Sequence, residues 1–188
     1  ASDLHVDSIS CNRSVMLADM QDAVNKNAMI FLFGDIFDAM QGRFDPRRSL
    51  DELRPEYRRN DYYDFVVKDV AKILSPFAKN IALISDGNHE TATLKNSNIS
   101  LTDRLVWLLN TQYNGDILHG GYGGWVRFML EGNSGGRASI KMKYFHGAGG
   151  DSPVTRGVTQ TNRQAVYLNG ADIVVNGHNH NAYYVPII

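Results

Sequence analysis

Five segments of this chain gather the side chains best suited to chemistry: Asp3-Leu4-His5, Gly34-Asp35-Ile36-Phe37-Asp38, Gly87-Asn88-His89-Glu90, the lone His146, and Gly177-His178-Asn179-His180. Carboxylate oxygen and imidazole nitrogen together suit borderline divalent ions such as manganese, zinc, iron or nickel. In an extended segment residues two apart point to one side, so Asp3 with His5, and His178 with His180, should each address one centre. Asp3, His5, Asp35, Asn88, His146, His178 and His180 offer more ligands than one four-coordinate ion can use. Two ions sharing a bridging carboxylate would use them all. Two metals about 3.5–4 Å apart suit phosphoryl transfer, because one can generate a hydroxide while both neutralise charge growing on the phosphate oxygens.

Each segment also has an ordinary explanation. An isolated Asp-x-His pair is common, a single histidine such as His146 is usually a satisfied core or surface residue, and Gly-Asn-His-Glu could be a turn leading into a helix cap. Their conjunction carries the reading: five of the six histidines fall in these segments, each beside the end of an expected strand.

Apolar spacing predicts the elements that must position these groups. A helix is expected over 14–27 with Ser14 as N-cap, then a buried strand Ala28–Phe33 ending at Gly34. Residues 39–60, rich in arginine and proline, read as a surface connection. A helix over Tyr62–Phe77, a strand over Ile81–Ser85 and a helix over Thr102–Asn110 follow. His119 and the glycines after it read as a surface loop; from Trp125 onward, two strands flank the turn Gly132–Gly136. Residues 155–169 read as a helix, Ala171–Val175 and Ala182–Ile188 as strands. Helices alternate with strands first and hairpin strands enter later, the pattern of a layered α/β protein with a mixed sheet or two packed sheets. Glycines at 34, 87 and 177 would let the chain leave a strand sharply beside a ligand.

A chain of 188 residues suits one domain over 1–188, and the 43% apolar and 21% charged shares exclude a disordered tail or fibrous repeat. With a net charge of −1, any polyanion must be held by a local patch rather than by the whole molecule. Cys11 stands alone, which fits a reducing compartment and a small core residue. No window reaches the roughly 18–20 apolar residues of a membrane span, and no leader precedes Asp3, so a cytoplasmic protein with no membrane partner is expected.

The five segments, in this order, resemble the signature of the calcineurin-like metallophosphoesterases: Asp-x-His, Gly-Asp-x-x-Asp, Gly-Asn-His-Glu or Asp, His, and Gly-His-x-His. The resemblance spans Asp3 to His180. It implies a four-layered α/β sandwich of two mixed sheets flanked by helices, and two divalent ions as cofactors. One ion would be held by Asp3, His5, Asp35 and His180, the other by Asp35, Asn88, His146 and His178, with Asp35 as bridge. It further implies that Asn88 and His89 meet the substrate, His89 serving the leaving oxygen while Asp38 orients its ring. A carboxylate on one ring nitrogen would fix the tautomer, though Asp38 could equally be a first-turn carboxylate on a helix.

Protein serine/threonine phosphatases of this superfamily carry arginines where this chain has Ala39 and Asp86, so the expected substrate is a phosphodiester or small phosphate compound. Nucleic acid is the alternative substrate, through Arg47, Arg48, Arg58 and Arg59 with neighbouring tyrosines; a non-catalytic scaffold is the other alternative. Fewer residues precede Asp-x-His and follow Gly-His-x-His than in a full family member, as in a domain trimmed at both ends.

Overall fold

The computed structural model describes residues 1–41, 45–46, 48–132, 135–149, 158–180, 184 and 186. Five α-helices and six strands alternate along these residues: α1 (Arg13–Asn25), β1 (Ile30–Phe33), α2 (Tyr62–Leu74), β2 (Ile81–Ser85), α3 (Asn88–Ser97), α4 (Leu101–Gln112), β3 (Leu118–Gly120), β4 (Gly123–Glu131), β5 (Arg137–Phe145), α5 (Val158–Tyr167) and β6 (Ile173–Asn176). The strands form two three-stranded sheets. In the first, β1, β2 and β3 run parallel in that order; in the second, β5 pairs antiparallel with β4 and parallel with β6. Only the second sheet is mixed, because the first is built entirely from helical crossovers.

In the first sheet β1 and β2 are largely buried on both faces, as expected of parallel strands, while the edge strand β3 is exposed. Ile30 and Leu32 of β1 and Ile81 and Ile84 of β2 join the main core with Met20, Val66, Val70, Leu74, Leu105 and Leu109 of the helices. Phe33 and Leu83 turn the other way and meet Met142 and Tyr144 of the second sheet. Phe33 stacks on Tyr144 at 5.1 Å, and Phe31 meets Phe128 edge-on at 5.7 Å.

Several expectations need adjustment. Helix α1 is capped by Asn12, whose side chain accepts from the Val15 amide, not by Ser14. The α2 helix ends at Leu74 and passes into a 3-10 turn where Pro76 follows. Residues 88–97 form a full helix, and His119 lies on a strand that pairs with β2, not on a loop. The 39–60 connection is partly core: Leu53 and Tyr57 are fully buried, Leu53 bridges to Ser8, and Arg54 donates to the Ser8 and Cys11 carbonyls. Cys11 is only half-buried. The expected strand 182–188 lies outside the described residues, apart from Tyr184 and Pro186, which are not in a strand.

Candidate metal centre

The site assembles where strands end. Asp35 follows β1, Asn88 and His89 open α3 just beyond β2, His146 follows β5 and His178 follows β6. Parallel pairing of β1 with β2 and of β5 with β6 brings these ends together, the usual place for sites in open α/β sheets. Residues 1–6 run beside β1: the Phe33 amide donates to the Ala1 carbonyl, and the Asp3, His5 and Val6 amides to those of Gly34, Asp35 and Ile36.

Asp35 is the hub. It is 1% exposed; its Oδ2 lies 3.0 Å from His146 Nε2, 3.7 Å from His89 Nε2 and 4.0 Å from His5 Nε2. Asn88 Oδ1 lies 3.1 Å from His146 Nε2 and 2.7 Å from His178 Nδ1. Asp3 caps the His178 amide with both oxygens, and its Oδ1 stands 3.7 Å from His180 Nε2 and 4.0 Å from His146 Nε2. Three groups of donor atoms are close enough to hold an ion: Asp3, His5 and His180; Asp35, His146 and His178; and His5, Asp35 and His89. All seven expected ligand residues are therefore drawn together, with His89 beside them.

The donor set fits a metal. Both ring nitrogens of His5 are buried without a hydrogen-bond partner, a costly arrangement that a cation would relieve. His146 Nδ1 is fixed by the Phe33 carbonyl at 2.9 Å, which places the hydrogen on Nδ1 and leaves Nε2 directed at Asp35 and Asn88, the outer-shell pattern of a ligating histidine. Burial disfavours the His146 cation, yet the hydrogen bond to Asp35 and that group's charge raise its pKa to about 8. Asp35 moves the opposite way: burial opposes its charge, but His146 and His89 hold it below the usual carboxylate range.

Left-handed backbone gathers several of the same residues. Asp3, His5, Asp35 and His178 have φ of 57°, 43°, 51° and 73°, in the left-handed region. Asparagine, aspartate and histidine enter this region most readily, and every described non-glycine residue with positive φ is one of these except Ala39, which follows Asp38. Asp3 and His5 thus converge by left-handed turns and not by the two-residue period of a strand.

Two buried carboxylates absent from the expected site hold these turns. Glu90, third residue of α3, accepts four backbone amides: Asp35 and Gly87 on Oε2 at 3.0 and 2.8 Å, Ile36 and Phe37 on Oε1 at 2.8 and 3.0 Å. Burial and the nearby Asp35 charge push its carboxyl up to about 7, against the amides that favour its ionised form. Asp7 accepts the Asp38 and Ala39 amides at 2.6 and 3.1 Å and the Tyr62 hydroxyl; burial raises its pKa. Glu90 was legible as a glutamate three residues after a helix start. Nothing local in Val6-Asp7-Ser8 sets Asp7 apart.

His89 departs in detail from expectation. Its Nδ1 meets the backbone carbonyl of Asp38 at 2.5 Å, while the Asp38 carboxylate stands 3.7 Å away and lies 3.5 Å from His5 Nδ1. A carbonyl only accepts, so Nδ1 carries the hydrogen and Nε2 faces Asp35. Burial lowers the His89 pKa. For His5, burial is outweighed by Asp38 and Asp35, which raise its pKa.

Two glycines make this packing possible. Gly34 has φ of 81°, and a Cβ there would stand 2.6 Å from His146 Nδ1 and 2.7 Å from the Gly87 backbone. A Cβ on Gly87 would overlap Asp35 Oδ1.

Of the arginines considered for nucleic acid, Arg58 donates to the Leu53 carbonyl, Arg59 pairs with Asp61 and covers Phe65, and Arg48 is exposed. Arg47 lies outside the described residues. Among the described residues no helix is long and apolar enough to cross a membrane. No family model, curated protein or solved structure matches this chain.

Proposed function

We propose that this protein is a hydrolase that cleaves phosphate esters, phosphodiesters foremost, with two divalent ions as cofactors. The observation carrying this reading is the convergence of seven donor residues, Asp35 among them, from four separate strand ends and the N-terminal segment, with both His5 nitrogens buried and unpartnered. The proposed division gives Asp3, His5, Asp35 and His180 to one ion and Asp35, Asn88, His146 and His178 to the other; two of the three observed clusters fall along that line. Bound there, divalent ions would supply an activated water and neutralise charge on the phosphoryl oxygens.

The chain's own residues do the rest. Glu90 and Asp7 fix the loops that aim Asp35 and Asp38. His89, held through Nδ1 by the Asp38 carbonyl, keeps Nε2 at the edge of the cluster, where its imidazolium form can give a hydrogen bond or a proton to a departing oxygen. Without the two arginines of the protein phosphatases, the site offers less to a dianionic monoester, which favours diesters. The four-layered sandwich belongs to this same reading.

The test is elemental analysis after manganese loading, with hydrolysis of bis-p-nitrophenyl phosphate by wild type, Asp35→Ala and His89→Ala. About two ions per chain are expected in wild type, metal loss with loss of turnover in Asp35→Ala, and metal retention with greatly reduced turnover in His89→Ala. Fewer than one ion in the loaded wild type, or full activity of Asp35→Ala, would refute the reading.

A further inference from the structure

The β4–β5 hairpin turns one face inward, where Val126, Phe128, Met142 and Tyr144 pack against the first sheet. The alternate residues form the other face, where Trp125 stands opposite Lys143, Arg127 opposite Lys141, and Met129 opposite Ser139. Arg127 and Lys141 are exposed, as are Trp125 (49%) and Met129 (62%). The Lys143 ammonium lies 5.5 Å from the centre of the Trp125 ring.

One feature of this face runs against stability. Like charges directly opposite one another across a sheet repel, and Arg127 faces Lys141. Nor do the lysines act as guards against edge-to-edge pairing, since that device belongs on edge strands and β5 is central. Glu131 is the one acid on the face, and it pairs with Arg137 at 3.5 Å; beside the face the Asp172 carboxylate accepts the Lys141 amide at 2.7 Å. Among the described residues no carboxylate forms an ion pair with the side chains of Arg127, Lys141 or Lys143, which leaves these charges available to an anion. Cations interleaved with an exposed indole suit a polyanion carrying planar groups.

The face also leads to the metal centre. Lys143 precedes His146 by three residues, about 10 Å along a strand, and the hairpin's hydrogen bonding continues past it as the His146 amide donates to the Tyr122 carbonyl at 3.0 Å.

We propose that the outward face of β4–β5 binds single-stranded nucleic acid, with Arg127, Lys141 and Lys143 on its phosphates and a base stacked on Trp125. Its role as a substrate track rests on the phosphodiesterase reading; the binding itself does not.

The decisive variant is Lys141→Glu, which turns a repulsive cross-strand pair into an attractive one. With attraction to Arg127 set against repulsion from Asp172, it should leave the melting temperature close to that of wild type while weakening the complex, a combination that loss of fold cannot produce. Binding of fluorescent dT20 is read by anisotropy in EDTA from 50 to 200 mM salt. Wild type should bind at 50 mM. Lys141→Glu should bind at least about tenfold more weakly and lower the slope of log affinity against log salt by about 0.7 to 1.4, that is, about 0.7 for each cation withdrawn. Trp125→Ala should bind about tenfold more weakly with its slope unchanged. Absence of wild-type binding, wild-type affinity in both variants, or binding to phosphatidylserine vesicles but not to dT20 would overturn the proposal. Retained dT20 binding with no bis-p-nitrophenyl phosphate turnover by the manganese-loaded wild type would overturn the phosphodiesterase reading and leave the strip standing.

Discussion

Glu90→Gln isolates what holds the centre together, because it removes a charge while keeping size and shape. The two carboxylate oxygens accept four buried amides, two each. A glutamine amide can offer its oxygen to one pair and must set its NH2 against the other, leaving two buried N–H groups without an acceptor. At about 1–3 kcal/mol for each orphaned donor, the substitution should cost about 2–6 kcal/mol. For a domain of this size that lowers the melting temperature by about 4–24 °C. Two of the four amides belong to Asp35 and Gly87, so manganese affinity should also fall by about 10–100-fold, the effect of losing an outer-shell partner. Thermal unfolding without metal reads the first quantity, and calorimetric manganese titration at a temperature where the variant is folded reads the second. A variant within about 1 kcal/mol of wild type with unchanged manganese affinity would show that the four hydrogen bonds do not position the site.

Other outcomes follow from the same geometry. Manganese at 100 times its dissociation constant should stabilise the protein by about 2.7 kcal/mol, a rise of about 5–11 °C in melting temperature that EDTA reverses. Gly87→Ala should abolish manganese uptake by displacing the Asp35 carboxylate, as read by elemental analysis. Tyr62→Phe removes the hydroxyl bonded to buried Asp7 and should cost about 1–3 kcal/mol in urea unfolding. His119 sits 3.3 Å from Asp86 and 3.5 Å from Asp103, and the hydrogen bond to Asp86, against some desolvation, raises its pKa. A raised folded pKa stabilises fully below the ordinary value of about 6.5 and is lost as pH rises through the folded one. His119→Gln should therefore cost about 0.5–1 kcal/mol at pH 5.5 and nothing at pH 9, measured as the difference in unfolding free energy.

Elements whose own side chains repeat in a pattern were legible: Ile81–Ser85 forms over the expected residues, and the hairpin around Gly132–Gly136 follows from alternation. The candidate ligand residues stood out for a related reason, since histidines and acidic residues beside strand-ending glycines are rare, and the fold brings them together. What was hidden depended on distant partners. Helix 88–97 has a weakly apolar sequence and is held by Glu90 reaching back to the β1 turn, and the short strand at His119 exists only because β2 offers it an edge. Asp7 resembles any acidic residue until Tyr62 and the amides of Asp38 and Ala39 close around it. The left-handed turns at Asp3 and His5 could not be read from spacing, which gave the right convergence for another reason.

The ligands come from both ends of the chain, and Asp3 and His178, whose groups already touch, are 175 residues apart. An ion shared by Asp3 and His180 would act as a reversible cross-link closing a very long loop. Closing a loop of that length is entropically expensive in the unfolded state, though the cost grows only with the logarithm of loop length. During synthesis the centre could close only after His178 and His180 emerge, beyond the last strand of the second sheet. Metal occupancy would report on completed folding, and a chain that has misplaced either terminus would remain without its ions.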